Sequence, residues 1–207
     1  MAMSMSAGPT QSLRFVIFKY VVYGLLILNI ALFLIFGEPH EAIDSLGWIL
    51  LLGSFEYETS ALDKDYSSPI EKYVLWGLQI TGYAMAIFAT WSYWEVGQWA
   101  DFINASAWLC VCAAIAYDVH APGEYGGLEW RVRNLVKGGL YAILIAVALW
   151  WAYDGLIVDQ SAHGLLELYD ALLWIVCFGV IELNIFANEA EEEAVEDETG
   201  APLKMAD

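Results

Sequence analysis

Basic residues are scarce in this chain. Eight Lys and Arg stand against 26 Asp and Glu in 207 residues, for a formal net charge of −18. A surface of that sign repels phosphate, so no nucleic-acid partner is expected. Soluble-enzyme signatures are equally missing: no Walker loop, HExxH, GxSxG or CxxC occurs, and no loop is long enough to house such a site. An enzyme is therefore not expected, and no cofactor is called for. There are only three cysteines, Cys110, Cys112 and Cys177, all inside apolar stretches. Cys110 and Cys112 project to opposite sides of one helix, so no disulfide between them is expected; all three read as small packing residues. No cleavable signal peptide is expected. The first apolar run is too long for one, and no small-residue cleavage site follows it.

What is present in excess is apolar surface. The chain is 59% hydrophobic and 15% aromatic, values that a soluble domain rarely reaches and a membrane protein usually does. Leu13–Phe36, Lys72–Trp94 and Leu135–Tyr153 are each long enough to cross a bilayer core, which takes roughly 20 apolar residues.

Between these three segments lies a spacing that occurs three times. Asp44-Ser-Leu-Gly-Trp48 is followed by Phe55-Glu56-Tyr-Glu58. Asn104-Ala-Ser-Ala-Trp108 is followed by Tyr117-Asp118, and Asp170-Ala-Leu-Leu-Trp174 by Ile181-Glu182-Leu-Asn184. An acid or amide stands four residues before each tryptophan, and polar positions stand eight and ten after it, with Ala116 the one apolar replacement. The preceding segments add a second match, Lys19-Tyr-Val-Val-Tyr-Gly24 against Lys72-Tyr-Val-Leu-Trp-Gly77; Arg133 to Gly138 keeps the basic start and the glycine. An internal repeat of this kind decides architecture before any single residue does. It predicts an all-α, polytopic membrane bundle of six transmembrane helices, built as three A–B hairpins.

The expected organisation is a short N-terminus over 1–12, hairpins over 13–60, 61–120 and 121–188, and a disordered acidic tail over 189–207. Seven acids in the ten residues Glu189–Glu198 cannot bury apolar surface. All eight basic residues (Arg14, Lys19, Lys64, Lys72, Arg131, Arg133, Lys137 and Lys204) fall in the termini or around the second and fourth loops. Loops one, three and five have none, which by the positive-inside pattern places both termini in the cytoplasm of a multi-pass protein of the cell (inner) membrane. Ser68-Pro69-Ile-Glu71 reads as a capping box that starts the third helix. The outer loops are expected to run about 7 to 11 residues, which makes each hairpin an antiparallel pair.

The tryptophans Trp48, Trp108 and Trp174 are read as interhelical packing residues of the repeat. The candidate ion pathway consists of Asp44, Glu56, Glu58, Asp118, Asp170, Glu182 and Asn184. Asp44 and Glu56 are separated by roughly 18 Å along a helix of about 1.5 Å rise per residue, so both cannot sit in water if that helix crosses a core about 30 Å thick. Ionisable groups at such depth face a partner or a wet cavity. In one reading the carboxylates line a cation pathway, chiefly Glu56, Glu58, Asp118 and Glu182, with the outer acids Glu38, Glu41, Asp44, Glu95, Asp101, Asp154, Asp159, Glu167 and Asp170 concentrating cations at its mouth. In the other they cap helices or pair with Arg131, Arg133 and Lys137. His40 and His163 are placed in outer loops and His120 at an inner helix end, so no shared metal site is expected. Asn29, Gln79 and Thr81 read as interhelical hydrogen-bonding groups.

Trp174, Phe178 and Glu182 resemble the acidic second helix of voltage-sensor domains. Such a domain also needs a helix with arginine at every third position, which no segment supplies, so voltage sensing is not expected. The function that follows is a small cation channel or transporter. The alternative is a non-catalytic membrane scaffold or accessory subunit of a larger complex. The expected partners are the lipid bilayer, a cation, and either a membrane-protein partner or further copies of the chain.

Overall fold

The structure, a computed structural model, describes residues 13–61, 69–120, 127–158, 160 and 162–178, and these are helical throughout apart from short turns. The helices are α1 (Leu13–Phe36), α2 (Pro39–Ala61), α3 (Pro69–Val96), α4 (Trp99–His120) and α5 (Gly127–Tyr153), which runs into a π-helical turn at Asp154–Val158. A last helix, α6, covers residues 162–178 of the described chain. The acidic tail, Glu182 and Asn184 lie outside the described residues.

Four segments are long and apolar enough to cross a membrane: Val16–Phe36, Pro69–Val96, Trp99–Tyr117 and Gly127–Val158. The chain thus has the helices of an integral membrane protein. α2 falls short because Glu41, Asp44, Glu56 and Glu58 interrupt its apolar run. Large apolar side chains such as Ile80, Ile87, Phe88 and Trp91 on α3 are exposed, the pattern of a helix whose outer face meets lipid rather than water.

Contacts group the chain into two units. One is Leu26–Ala171; the other joins Met1–Leu25 with Leu172–Asp207. In the second, Val22, Leu173, Trp174 and Cys177 are buried, and the rings of Trp174 and Phe178 lie 6.1 Å apart.

The larger unit is held by small residues at helix crossings. α3 buries Leu75, Gly82, Ala86, Ala89 and Tyr93, a stripe whose steps of three, four and seven keep one face inward. Glycine and alanine on that stripe let backbones approach closely, which is how helices gain van der Waals contact where lipid supplies no hydrophobic drive. At the α2–α3 crossing a Cβ added to Gly47 would lie 3.0 Å from the Gly82 carbonyl oxygen and 3.2 Å from the Ala86 nitrogen. α5 contributes Leu144, Val147, Ala148 and Trp151. Trp48 of α2 and Trp108 of α4 are both buried, with ring centroids 6.4 Å apart.

The turns differ from the expected outer loops of 7 to 11 residues. Only Gly37 and Glu38 separate α1 from α2, and only Gly97 and Gln98 separate α3 from α4. The physical reason is helix capping. Proline at the first position of α2 is preset for helix, and the Glu41 carboxylate accepts from the Glu38 backbone N–H at 2.7 Å, the reciprocal half of a capping box. Helix therefore begins before Asp44, and His40 lies within it. His163 likewise belongs to α6 rather than to a loop. α3 starts at Pro69, as its capping box requires, and α5 begins at Gly127, with the Trp130–Arg133 stretch helical.

Candidate functional site

At the end of the larger unit that carries the two short turns, polar side chains converge. Glu41, Asp44 and Ser45 come from α2, Asp101 and Asn104 from α4, and Glu167 and Asp170 from α6. With Phe33, Tyr93 and Trp151 they line one small cavity. Its water-accessible space is about 20 Å³, which is room for one or two waters or a small ion. Five carboxylates face this space, and among the described residues no Lys or Arg lines it.

The register of these residues is regular. Glu41, Asp101 and Glu167 stand seven positions before Trp48, Trp108 and Trp174; Asp44, Asn104 and Asp170 stand four before them. Seven and four residues are about two turns and one turn of helix, so on each helix the two groups share a face. The repeat as first delimited begins at the position four before the tryptophan, one turn short of these acids. Glu41, Asp101 and Glu167 are named among the mouth acids on charge alone, but their common register, the position where all three segments carry an acid, lies in the same spacing.

Four of the five acids are held by contacts with neighbouring groups. Glu41, only 3% exposed, faces inward because its carboxylate closes the α2 cap. It also meets the ring of His163, with Nε2 3.0 Å and 3.2 Å from its two oxygens. One turn further along α6, Glu167 Oε1 lies 3.5 Å from His163 Nδ1. Asp44 Oδ2 accepts from the Tyr93 hydroxyl at 3.2 Å. Asn29, 1% exposed, donates its amide N–H to Asp170 Oδ1 at 2.5 Å. At the rim, His40 Nε2 lies 2.7 Å from Gln98 Oε1, and the His40 ring stands edge-on to Tyr93 at 5.1 Å.

The start of α6 is brought to this place by a close backbone approach. A Cβ on Gly155, in the π-helical turn, would lie 2.7 Å from the Gly164 carbonyl carbon. Only glycine allows that approach, and it sets His163 and Glu167 against α2. Short π segments of this kind recur at functional sites.

Three buried polar atoms at or beside the cavity have no hydrogen-bond partner among the described residues. They are Asp44 Oδ1, Asn29 Oδ1 and the Trp151 indole Nε1–H. Buried polar atoms are rarely left unpaired in folded proteins. Chemically, the arrangement offers a cation several oxygen donors and one imidazole, with an indole N–H able to hold a water or an anion beside it.

Of the residues proposed from sequence, the structure brings Asp44 and Asp170 to this cavity. Glu56 lies farther along α2, half-buried. The side chains of Glu58 and Asp118 lie outside the described set, as Glu182 and Asn184 do altogether. Elsewhere Arg133 pairs with Glu129 at 2.5 Å and lies 4.7 Å from the centre of the Tyr117 ring. The Tyr57 hydroxyl bonds Glu71. Comparison with protein-family models, with curated proteins and with solved structures gave no match.

Proposed function

We propose that this chain is a multi-pass membrane protein that moves cations, as a small channel or transporter, and that it does so without enzymatic chemistry. The observation that carries the reading is the convergence of five carboxylates from three helices on one cavity that, among the described residues, no Lys or Arg lines. Keeping such a group of acids together in a buried cavity costs free energy, through desolvation of each ionised group and repulsion between like charges. A passive scaffold gains nothing from that cost, whereas a cation that enters the cavity offsets it.

Charge placement supports a membrane-crossing role. Lys72 and Tyr93 lie at opposite ends of α3, about 30 Å apart at 1.5 Å rise per residue, and Arg133 and Trp151 are similarly spaced along α5. Lys72, Arg131 and Arg133 are thus about one hydrocarbon thickness from the acidic cavity, with Lys137 one turn nearer than Arg133. With the basic ends in the cytoplasm, the cavity opens at the outer face, where acids concentrate cations.

The test is ion flux into liposomes that contain only this protein. Wild type is compared with Glu41→Gln/Asp101→Asn/Glu167→Gln, with helicity and elution volume checked for both. We expect uptake in wild type and its loss in the folded variant. Equal flux in the two would sink the site assignment, and no flux of any cation or of protons from folded wild type would sink transport itself.

A further inference from the structure

We infer that Glu41, His163 and Glu167 form a binding site for a divalent transition-metal ion, and that such ions are the cations this protein handles. The inference deepens the transport reading and rests on it for the word "handles"; the site itself stands on its own geometry.

One ring nitrogen of His163 and one oxygen from each of Glu41 and Glu167 lie within 4.8 Å of one another. Two donors each about 2.1 Å from one ion stand about 3.4 Å apart at a tetrahedral angle, so modest side-chain movement closes this trio on a metal. The site is more than an acidic cluster because an imidazole is part of it. Carboxylates alone favour hard ions such as magnesium and calcium, while imidazole draws the preference toward zinc, cobalt, iron or nickel.

The trio is also held in advance. Glu41 is anchored by the α2 cap at 2.7 Å. His163 and Glu167 are one turn apart on α6, where residues four apart share a face.

A second observation points to the ligand independently. Trp151 is 4% exposed, lines the same cavity as Glu41 and Glu167, and its indole N–H has no partner among the described residues. Asp44 Oδ1, also buried and lining that cavity, likewise has none. Three protein donors leave a fourth position on a tetrahedral ion for water. A water in a cavity of about 20 Å³ can accept from the indole and donate to the carboxylate, which satisfies both orphaned atoms.

A protonated imidazole between the two carboxylates is the competing way to hold this trio together, and direct binding separates the two. The full chain, purified in detergent without metal, is titrated with Co²⁺ and followed by visible absorption, and with Zn²⁺ by equilibrium dialysis. We expect one equivalent bound and a Co²⁺ spectrum typical of mixed nitrogen and oxygen ligands. Affinity should fall by at least about tenfold in His163→Gln and in Glu167→Gln, and stay unchanged in Glu129→Gln, an exposed carboxylate in the first turn of α5.

Folded wild type that binds neither ion would overturn the inference. So would binding that survives His163→Gln, because it would assign the ion to carboxylates alone. Neither result touches the transport reading, which flux of protons or a monovalent ion would still support. Conversely, metal bound at this site with no flux keeps the site and removes the transporter.

Discussion

Glu41 Oε1 and His163 Nε2 lie 3.0 Å apart although 122 residues separate them in the chain. That contact joins the first turn of α2 to the first turn of α6. Removing it should therefore be felt in stability as well as in function. His163→Leu takes away a partner from a nearly buried carboxylate, and we expect a loss of roughly 1–2 kcal/mol. Thermal unfolding in detergent should show a lower midpoint for this variant than for His40→Leu. Equal midpoints would mean that the contact does not hold the helices.

The Asn29–Asp170 hydrogen bond crosses from α1 to α6. Interhelical polar pairs in membranes contribute about 0.6 kcal/mol on average and up to about 1.7. A double-mutant cycle with Asn29→Leu and Asp170→Asn should return a coupling in that range. A coupling indistinguishable from zero would remove this pair from the account of the fold.

At the α2–α3 crossing, one methyl group is enough to test the close approach. In Gly47→Ala the new Cβ meets the backbone of α3 at 3.0 to 3.2 Å, whereas the Cβ of Gly53→Ala finds nothing within 4 Å. Overpacking against backbone costs about 1–3 kcal/mol. The first variant should unfold earlier, and the second should match or slightly exceed wild type, since alanine favours helix over glycine. Similar midpoints for both would contradict the tight crossing.

Within the acidic cavity, single neutralisations should rank by position. Asp101 lines the cavity, whereas Glu95, on the neighbouring helix, is exposed. Asp101→Asn should reduce the cation affinity read from concentration-dependent flux by about tenfold, equivalent to about 1.4 kcal/mol. Glu95→Gln should leave it near wild type. A larger effect at Glu95 would mean that the acids act only as a surface field, which raising the salt concentration would confirm.

Much of the site could be read from the residues before any coordinates. The spacing around Trp48, Trp108 and Trp174 singles out Asp44, Asn104 and Asp170, because side chains one turn apart repeat their direction. The same spacing one turn earlier marks Glu41, Asp101 and Glu167, which on charge alone belong with Asp44 and Asp170 to an acidic mouth. His163 was not legible in this way. It has no counterpart at the same distance before Trp48 or Trp108, where Gly37 and Gly97 stand, and nothing local announces that it meets Glu41. Trp151 was not legible either, because its inward indole depends on which face of α5 packs against the other helices.

What the sequence determined by itself was everything that follows from short-range physics. Apolar length and composition produce helices able to cross a membrane, Pro39 and Pro69 start two of them, and the scarcity of Lys and Arg leaves one end of the molecule acidic. Capping and helical periodicity act within a few residues, so they can be read along a chain. Only the tertiary structure decided that carboxylates from α2, α4 and α6 share one cavity, that His163 stands between Glu41 and Glu167, and that the turn to α6 brings Gly155 against Gly164. Those relations depend on how closely helices cross and at what rotation. The crossings are settled jointly by glycines, alanines and buried rings on several helices, and no single stretch of sequence contains that information.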